Sequence, residues 1–181
     1  MLVFGIDPGA ANTGFGVVRT AGTRMAALDG GVIETLPTLA VEQRLAQVHS
    51  QLSELLGWHQ PDAVALEDLF FGKNVGSALS VGQARGVALL AAGERQIACF
   101  DYTPQAVKNA VCGAGAASKE QVQQMVAGLL GLPEPPSPDH AADAFAVAIC
   151  HAGHAGRISA VAGIGRPAVG TTPATRQRVA G

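Results

Sequence analysis

The sequence is poor in charged residues, aromatic residues and cysteines. Charged residues make up 14% and aromatic residues 4% of its 181 positions, whereas apolar residues make up 48%. This balance is too apolar for a disordered chain. No apolar run approaches the roughly 18 uninterrupted residues of a membrane span. The composition therefore predicts a folded domain that does not enter a membrane.

The cysteines do not form a disulfide framework. Cys99, Cys112 and Cys150 are an odd number without regular spacing, whereas disulfide-rich secreted domains pair an even number. The first residues contain no basic stretch and reach a carboxylate at Asp7, which is not typical of a signal peptide. We therefore expect reduced thiols in a cytoplasmic protein.

The small net charge of −2 hides an uneven distribution. Residues 144–181 carry +4 and no acid, whereas residues 1–143 carry −6. An acidic body repels DNA, so binding to DNA would require a local basic face and neutralisation of some acids by metal. Residues 153–181 are rich in Gly, Ala, Thr, Pro and Arg. We expect them to form a flexible basic tail behind a domain of residues 1–152.

The order of periodic segments predicts an α/β fold. Three strand patterns come first, and two more alternate with helical patterns further along the chain. The predicted strands are 2–6, 14–19, 25–34, 63–67 and 96–102, and the predicted helices are about 42–56, 77–93, 104–112, 118–130 and 139–151. Together they predict a mixed five-stranded sheet flanked by helices.

Four chemically active side chains stand where this fold could bring them together. Asp7 and Glu67 end predicted strands, and ligand sites favour the carboxyl ends of strands. His140 and Asp143 lie three residues apart, on one face of the last helix. Clustered carboxylates repel one another unless a cation lies among them, and oxygen-rich sets suit Mg²⁺ or Mn²⁺. Two such ions form a clamp for in-line displacement at a phosphodiester.

Each of these four residues also has an ordinary explanation. An acid after a strand is commonly a turn former, and a Glu at a strand end is commonly solvated. A His and an Asp near a helix start commonly serve the helix dipole. The prediction of a metal site therefore depends on their combination.

Several segments, in order and at the expected intervals, resemble the RuvC family of Holliday-junction resolvases over about residues 1–152. They are Gly5–Gly9 with Thr13–Gly16, Ala65–Asn74, Ser77–Gly86, Val107-Lys108, Gly113–Lys119 and His140–Ala144. The resemblance implies a ribonuclease-H-like fold and a homodimeric endonuclease of recombination and repair. Such an enzyme cuts four-way DNA junctions by paired symmetric nicks, uses divalent metal and leaves 5′-phosphate ends. It also implies association with the RuvA–RuvB branch-migration motor.

The resemblance implies that the same four residues are both metal ligands and catalytic residues, with two ions of Mg²⁺ or Mn²⁺ per site. These residues are Asp7, Glu67, His140 and Asp143. The family often has Asp where this chain has His140. Asp139 ranks below His140 as a ligand because consecutive residues on a helix point about 100° apart.

The expected DNA contacts combine one aromatic residue with polar and cationic side chains. Phe70 follows Glu67 in a loop and could stack on an unpaired base. Lysines suit phosphate oxygens. The predicted contact residues are Phe70, Lys73, Asn74, Arg85, Lys108 and Lys119. Paired nicks need two active sites related by a two-fold axis, and hence a dimer. The small residues of helix 77–93 would let another helix approach closely, so this helix is the candidate dimer interface.

Two other functions fit parts of the sequence. Asp7-Pro8-Gly9 with Thr13-Gly14 also resembles the first phosphate loop of actin- and sugar-kinase-like ATPases, although the chain is short for their duplicated domain. A non-catalytic junction-binding module is the second alternative. Clustered carboxylates argue against it, because they weaken DNA binding.

Overall fold

The computed structural model describes residues 1–68 and 75–161, within which five strands and five helices are arranged as an α/β fold. The strands are β1 Leu2–Asp7, β2 Asn12–Ala21, β3 Arg24–Glu34, β4 Ala63–Glu67 and β5 Cys99–Tyr102. The helices are α1 Val41–His59, α2 Val75–Glu94, α3 Pro104–Cys112, α4 Lys119–Leu130 and α5 Asp139–Val161.

The sheet is mixed, which confirms the predicted fold class. Its strand order is β3-β2-β1-β4-β5. The first three strands form an antiparallel meander, whereas β4 pairs parallel to β1 and β5 pairs parallel to β4. The carboxyl ends of β1 and β4 therefore lie side by side at one edge of the sheet.

Alternation along the strands assigns each side chain to one face of the sheet. Phe4 and Ile6 of β1 pack with α1 and α2 in one apolar cluster. Val3 of β1 packs with α3, α4 and α5 in a second cluster on the other face. Asp7 has the same parity as Val3, and Glu67 has the same parity as Ala65, which belongs to the second cluster. Both carboxylates therefore lie on the face that α5 covers.

Glycines allow α5 to lie directly on the sheet. A Cβ at Gly5 would overlap the backbone oxygen of Ala144, and a Cβ at Gly14 would overlap that of His140. Gly14 also pairs with Asp7 across β1 and β2. The absence of these side chains brings the first turn of α5 against the end of β1.

Two helix boundaries follow from local sequence signals. Ser118 caps α4, with its hydroxyl accepting from the backbone N–H of Gln121 and the Gln121 side chain accepting from the N–H of Ser118. This is the predicted capping box. Thr103 caps α3 through the N–H of Ala106, and Pro104 occupies the first helical position, where its missing N–H costs nothing.

Several predicted boundaries differ from the structure, and two of the differences have a clear local cause. Helix α5 continues to Val161 rather than ending near His151, because isolated glycines such as Gly153 cost a helix only about 1 kcal/mol each. Strand β5 begins at Cys99 rather than at Gln96, because Gln96 takes a left-handed conformation with φ 57° in the turn after α2. Residues 162–181, most of the predicted tail, lie outside the described residues.

A helix that crosses a bilayer is about 20 residues long and predominantly apolar. No helix of the described residues combines the necessary length and apolar character.

Candidate active site

The four predicted side chains gather around the carboxyl ends of β1 and β4. Ile6 and Leu66 are register partners, so Asp7 and Glu67 are the next residues along two adjacent parallel strands. The first turn of α5 brings His140 beside Asp7, and Nδ1 of His140 lies 2.7 Å from Oδ2 of Asp7. Asp143 follows one turn later on the same helix.

The charges of the three carboxylates affect one another. The pKa of Glu67 is raised from 4.5 to about 7, chiefly by burial and then by the charges of Asp7 and Asp143. Burial also raises the pKa of Asp143, while Lys119 opposes that rise. Like charges affect each other's pKa in this way only when they are close.

Two lysines lie at the same site. A cavity of about 210 Å³ is lined by acidic, basic and apolar side chains: Glu67, Pro104, Val107, Lys108, Lys119, Val122, Asp143 and Ala146. Nζ of Lys119 lies 3.2 Å from Oδ2 of Asp143 and 3.1 Å from Oδ2 of Asp139. The site therefore combines a carboxylate cluster with two cations that could face a phosphate.

His140 also borders a second, larger groove of about 400 Å³. The β1–β2 turn from Gly9 to Asn12 forms one wall, and Ser80 and Val81 of α2 form the other. The first cavity is lined by two lysines, whereas the second groove contains His140 as its only titratable lining residue among those described. The two cavities beside these side chains therefore differ in charge.

The family model of the crossover junction endodeoxyribonuclease RuvC matches residues 3–151. The chain belongs to the RuvC family. The crossover junction endodeoxyribonuclease RuvC of Pelotomaculum thermopropionicum is 51% identical over 154 residues, which are 85% of this chain and 94% of that protein.

Solved RuvC structures agree with this assignment. The Thermus thermophilus RuvC structure matches with a TM-score of 0.81 and 41% identity over 88% of this chain and 97% of that one. The T. thermophilus RuvC in complex with Holliday junction substrate matches with a TM-score of 0.83 and 41% identity over 87% of this chain and 96% of that one. The RuvC resemblance and the ribonuclease-H-like fold are confirmed. The chain is an endodeoxyribonuclease of the crossover-junction class, which decides against the ATPase and the non-catalytic module.

Membership of the RuvC family implies dependence on a divalent metal. The donor set fits such an ion, since three carboxylates and an imidazole are hard or borderline ligands. Within residues 1–68 and 75–161, no three acidic, His or Cys side chains form a ready-made metal cluster. Asp7 instead pairs with His140, and Asp143 pairs with Lys119.

The remaining predicted DNA contacts fall into two groups. Phe70, Lys73 and Asn74 lie outside the described residues. Arg85 lies within them but is directed elsewhere. Its guanidinium donates to the backbone oxygen of Glu67 at 3.1 Å and pairs with Asp101 at 2.5 Å, and only 13% of its side chain is exposed. Arg85 therefore joins the ends of β4 and β5, and its contact with DNA stays a prediction.

Sequence reasoning missed the residues that fix the turn after Asp7. The Thr13 hydroxyl donates to the backbone oxygen of Gly9 at 2.6 Å, and the Thr35 hydroxyl donates to that of Ala10 at 2.6 Å. Arg44 donates to Thr35 at 2.9 Å. The motif around Gly9 could have indicated Thr13, but no local signal links Thr35 and Arg44 to a turn so far away in sequence.

Proposed function

We propose that this chain resolves four-way DNA junctions by hydrolysing two phosphodiester bonds at symmetric positions, leaving 5′-phosphate ends. Two observations support the proposal in this RuvC-family chain: Glu67 and Asp143 line one cavity with Lys108 and Lys119, and Asp7 pairs with His140 at the end of the adjacent strand. Such a reaction would serve homologous recombination and DNA repair.

Asp7, Glu67, His140 and Asp143 would hold Mg²⁺ or Mn²⁺, two ions per site. Ions bound there supply an activated water and charge stabilisation at the leaving 3′ oxygen. Burial and mutual repulsion raise the pKa of Glu67 to about 7, so its charged form is disfavoured without a cation beside it. A bound cation favours the charged form of all three carboxylates.

His140 would serve as a ligand beside Asp7. Its Nδ1 lies 2.7 Å from Oδ2 of Asp7. That contact fixes the orientation of the ring at the proposed site, as second partners commonly do for ligating histidines.

Lys108 and Lys119 would contact the DNA backbone at the cavity. Both line it together with Glu67 and Asp143, and an ammonium suits phosphate oxygens as a point charge. Phe70, Lys73 and Asn74 would contact the junction from the segment after β4. The basic residues that follow the domain of residues 1–152 would add a tail, of which residues 153–161 continue α5.

A homodimer formed through α2 would place two active sites about a two-fold axis. This helix presents apolar side chains outward, with Leu79 65% and Leu90 55% exposed. A Cβ at Gly86 would meet nothing within 4 Å, so a partner helix could approach closely. We further propose a cytoplasmic location and association with the RuvA–RuvB motor.

The test is cleavage of a synthetic mobile four-way junction, mapped on all strands, with Mg²⁺ and Mn²⁺ compared. We expect paired nicks at symmetric positions. Asp7→Asn should abolish cutting while junction binding persists, because the substitution removes a ligand charge without changing the shape of the side chain. Glu134→Gln, which removes an exposed acid away from the cavity, is the matched control and should cut normally. Cutting that survives Asp7→Asn would contradict the proposed site.

A further inference from the structure

Lys119 is shared between two carboxylates of α5. Its Nζ lies 3.1 Å from Oδ2 of Asp139 and 3.2 Å from Oδ2 of Asp143. Asp143 lines the cavity with Glu67, whereas the side chain of Asp139 is 64% exposed. One ammonium group therefore joins a proposed metal ligand to an acid outside the ligand set.

A second donor from α4, the helix that carries Lys119, holds Asp139 in place. Its Oδ1 accepts from Nε2 of Gln123 at 2.9 Å, while its Oδ2 faces Lys119. Gln123 and Lys119 are four residues apart on α4, so they occupy one face of that helix. The Ser118 capping box fixes the start of α4. Both oxygens of Asp139 thus face donors on a single rigid element.

This sharing matters when a divalent ion binds. The ion and the Lys119 ammonium compete for the same Asp143 carboxylate. If Asp143 were the sole partner of the lysine, metal binding would have to break that ion pair. The displaced lysine would then have no acidic partner to keep it beside the cavity. A lysine that also pairs with Asp139 can release Asp143 and still remain beside the cavity.

We propose that Asp139, oriented by Gln123, is a positioning residue that retains Lys119 at the cavity when Asp143 turns to the metal. This inference rests on the proposed function, because it requires Asp143 to be a ligand. It assigns Asp139 no bond to the metal, since its oxygens already face two donors.

A double-mutant cycle on Mn²⁺ binding by the full-length, DNA-free protein tests the proposal. The variants are Asp139→Asn, Lys119→Met, the double variant and the charge control Glu134→Gln. We expect Asp139→Asn to weaken Mn²⁺ binding about two- to fivefold when Lys119 is present, the range typical of exposed ion pairs. In the Lys119→Met background it should change binding no more than Glu134→Gln does. Lys119→Met alone should strengthen binding, and Gln123→Leu should weaken it less than Asp139→Asn.

The alternatives give different patterns in the cycle. An equal loss in both backgrounds would mean that Asp139 acts as a ligand or through its charge alone, and it would overturn the proposal. No loss in either background would also overturn it. Mn²⁺ binding that Asp7→Asn leaves unchanged would instead contradict the proposed function itself. Thermal unfolding of each variant separates these results from a loss of fold.

Discussion

Close to the site, β1 and β4 present residues of different size on the two faces of the sheet. On the face toward α1 and α2, the strands contribute large side chains such as Phe4, Ile6 and Leu66, all fully buried. On the face toward α5, the same strands contribute Gly5 and Ala65 and end in Asp7 and Glu67. Adjacent positions along one strand therefore serve opposite needs.

The difference teaches how this fold separates stability from chemistry. Large apolar side chains supply buried area, which contributes most of the favourable free energy of folding. Small residues contribute little area, but they let the backbone of α5 touch the strands and so fix His140 against Asp7. Both faces bury an apolar cluster, and the face toward α5 in addition sets the positions of the functional groups.

Gly14→Ala should lower both activity and stability, because its Cβ would overlap the backbone oxygen of His140. The first turn of α5 would have to move, and a displacement of about 1 Å at a catalytic group costs roughly a hundredfold in rate. Overpacking should also lower the free energy of unfolding by about 2 kcal/mol. Single-turnover junction cleavage and denaturant unfolding measure the two effects.

Gly31→Ala is the matched control for this prediction. A Cβ at Gly31 would meet the ring of Phe15 at 3.3 Å, a side chain that can yield by a few tenths of an ångström. Both its rate and its stability should stay near those of the wild type. A Gly14→Ala variant that cuts as fast as Gly31→Ala would show that the close approach of α5 is not required.

Leu52→Ala should produce the opposite pattern on the other face. Leu52 of α1 is fully buried in the cluster with Phe4 and Ile6, so its truncation should lower the free energy of unfolding by about 3 kcal/mol. The cleavage rate of the folded protein should not change, because α1 does not reach the cavity. Urea unfolding and cleavage at low temperature check this, and a large loss of rate would break the contrast between the faces.

Glu67→Gln should stabilise the protein while removing its activity. The pKa of Glu67 is raised from 4.5 to about 7 by burial and by its acidic neighbours, so the folded protein disfavours the charged form. Stability therefore declines as pH rises from 4.5 towards 7, and at pH 8 the penalty is fully present. Allowing for partial exposure, the substitution should add about 2 kcal/mol at pH 8 and almost nothing at pH 4.

The measurement is unfolding at both pH values in the presence of a chelator. Glu54→Gln, at an exposed position of α1, provides the comparison and should give no such gain at pH 8. If Glu67→Gln were no more stable than the wild type at pH 8, burial and the neighbouring acids would not be destabilising the ionised form of Glu67.

Local signals in the sequence were enough to predict most elements and the four proposed ligands. Ser118 and Gln121 gave the start of α4 correctly, because a capping box acts within one turn. The apolar runs before Asp7 and Glu67 marked buried strands, and the parallel pairing of those strands brought their ends together. These features depend on residues that are close in sequence or on general rules of sheet topology.

Other features depend on tertiary contacts that the sequence pattern does not indicate. Nothing near Arg85 indicates that Asp101 and the Glu67 backbone will engage it. Nothing near Asp139 indicates that Gln123 and Lys119 will hold it. The end of α5 was also missed, because glycines suggested a stop that the surrounding helix overrides. Partners far away in sequence determine each of these features.

His151→Gln should have the smallest effect, because His151 lies about three turns along α5 from His140. His151 is 5% exposed, lies 2.8 Å from the Tyr102 hydroxyl and packs on Phe100. Burial lowers its pKa below the ordinary value of 6.5, and His154 adds to the shift. The unfolded chain therefore binds this proton first, so stability is lost as pH falls below about 6.5. His151→Gln should flatten that loss between pH 7 and 5, whereas Tyr102→Phe should keep it, since burial is the main cause. The measurement is the free energy of unfolding across this pH range. If its dependence on pH were unchanged in His151→Gln, the acid sensitivity would come from other groups, such as the carboxylates at the start of α5.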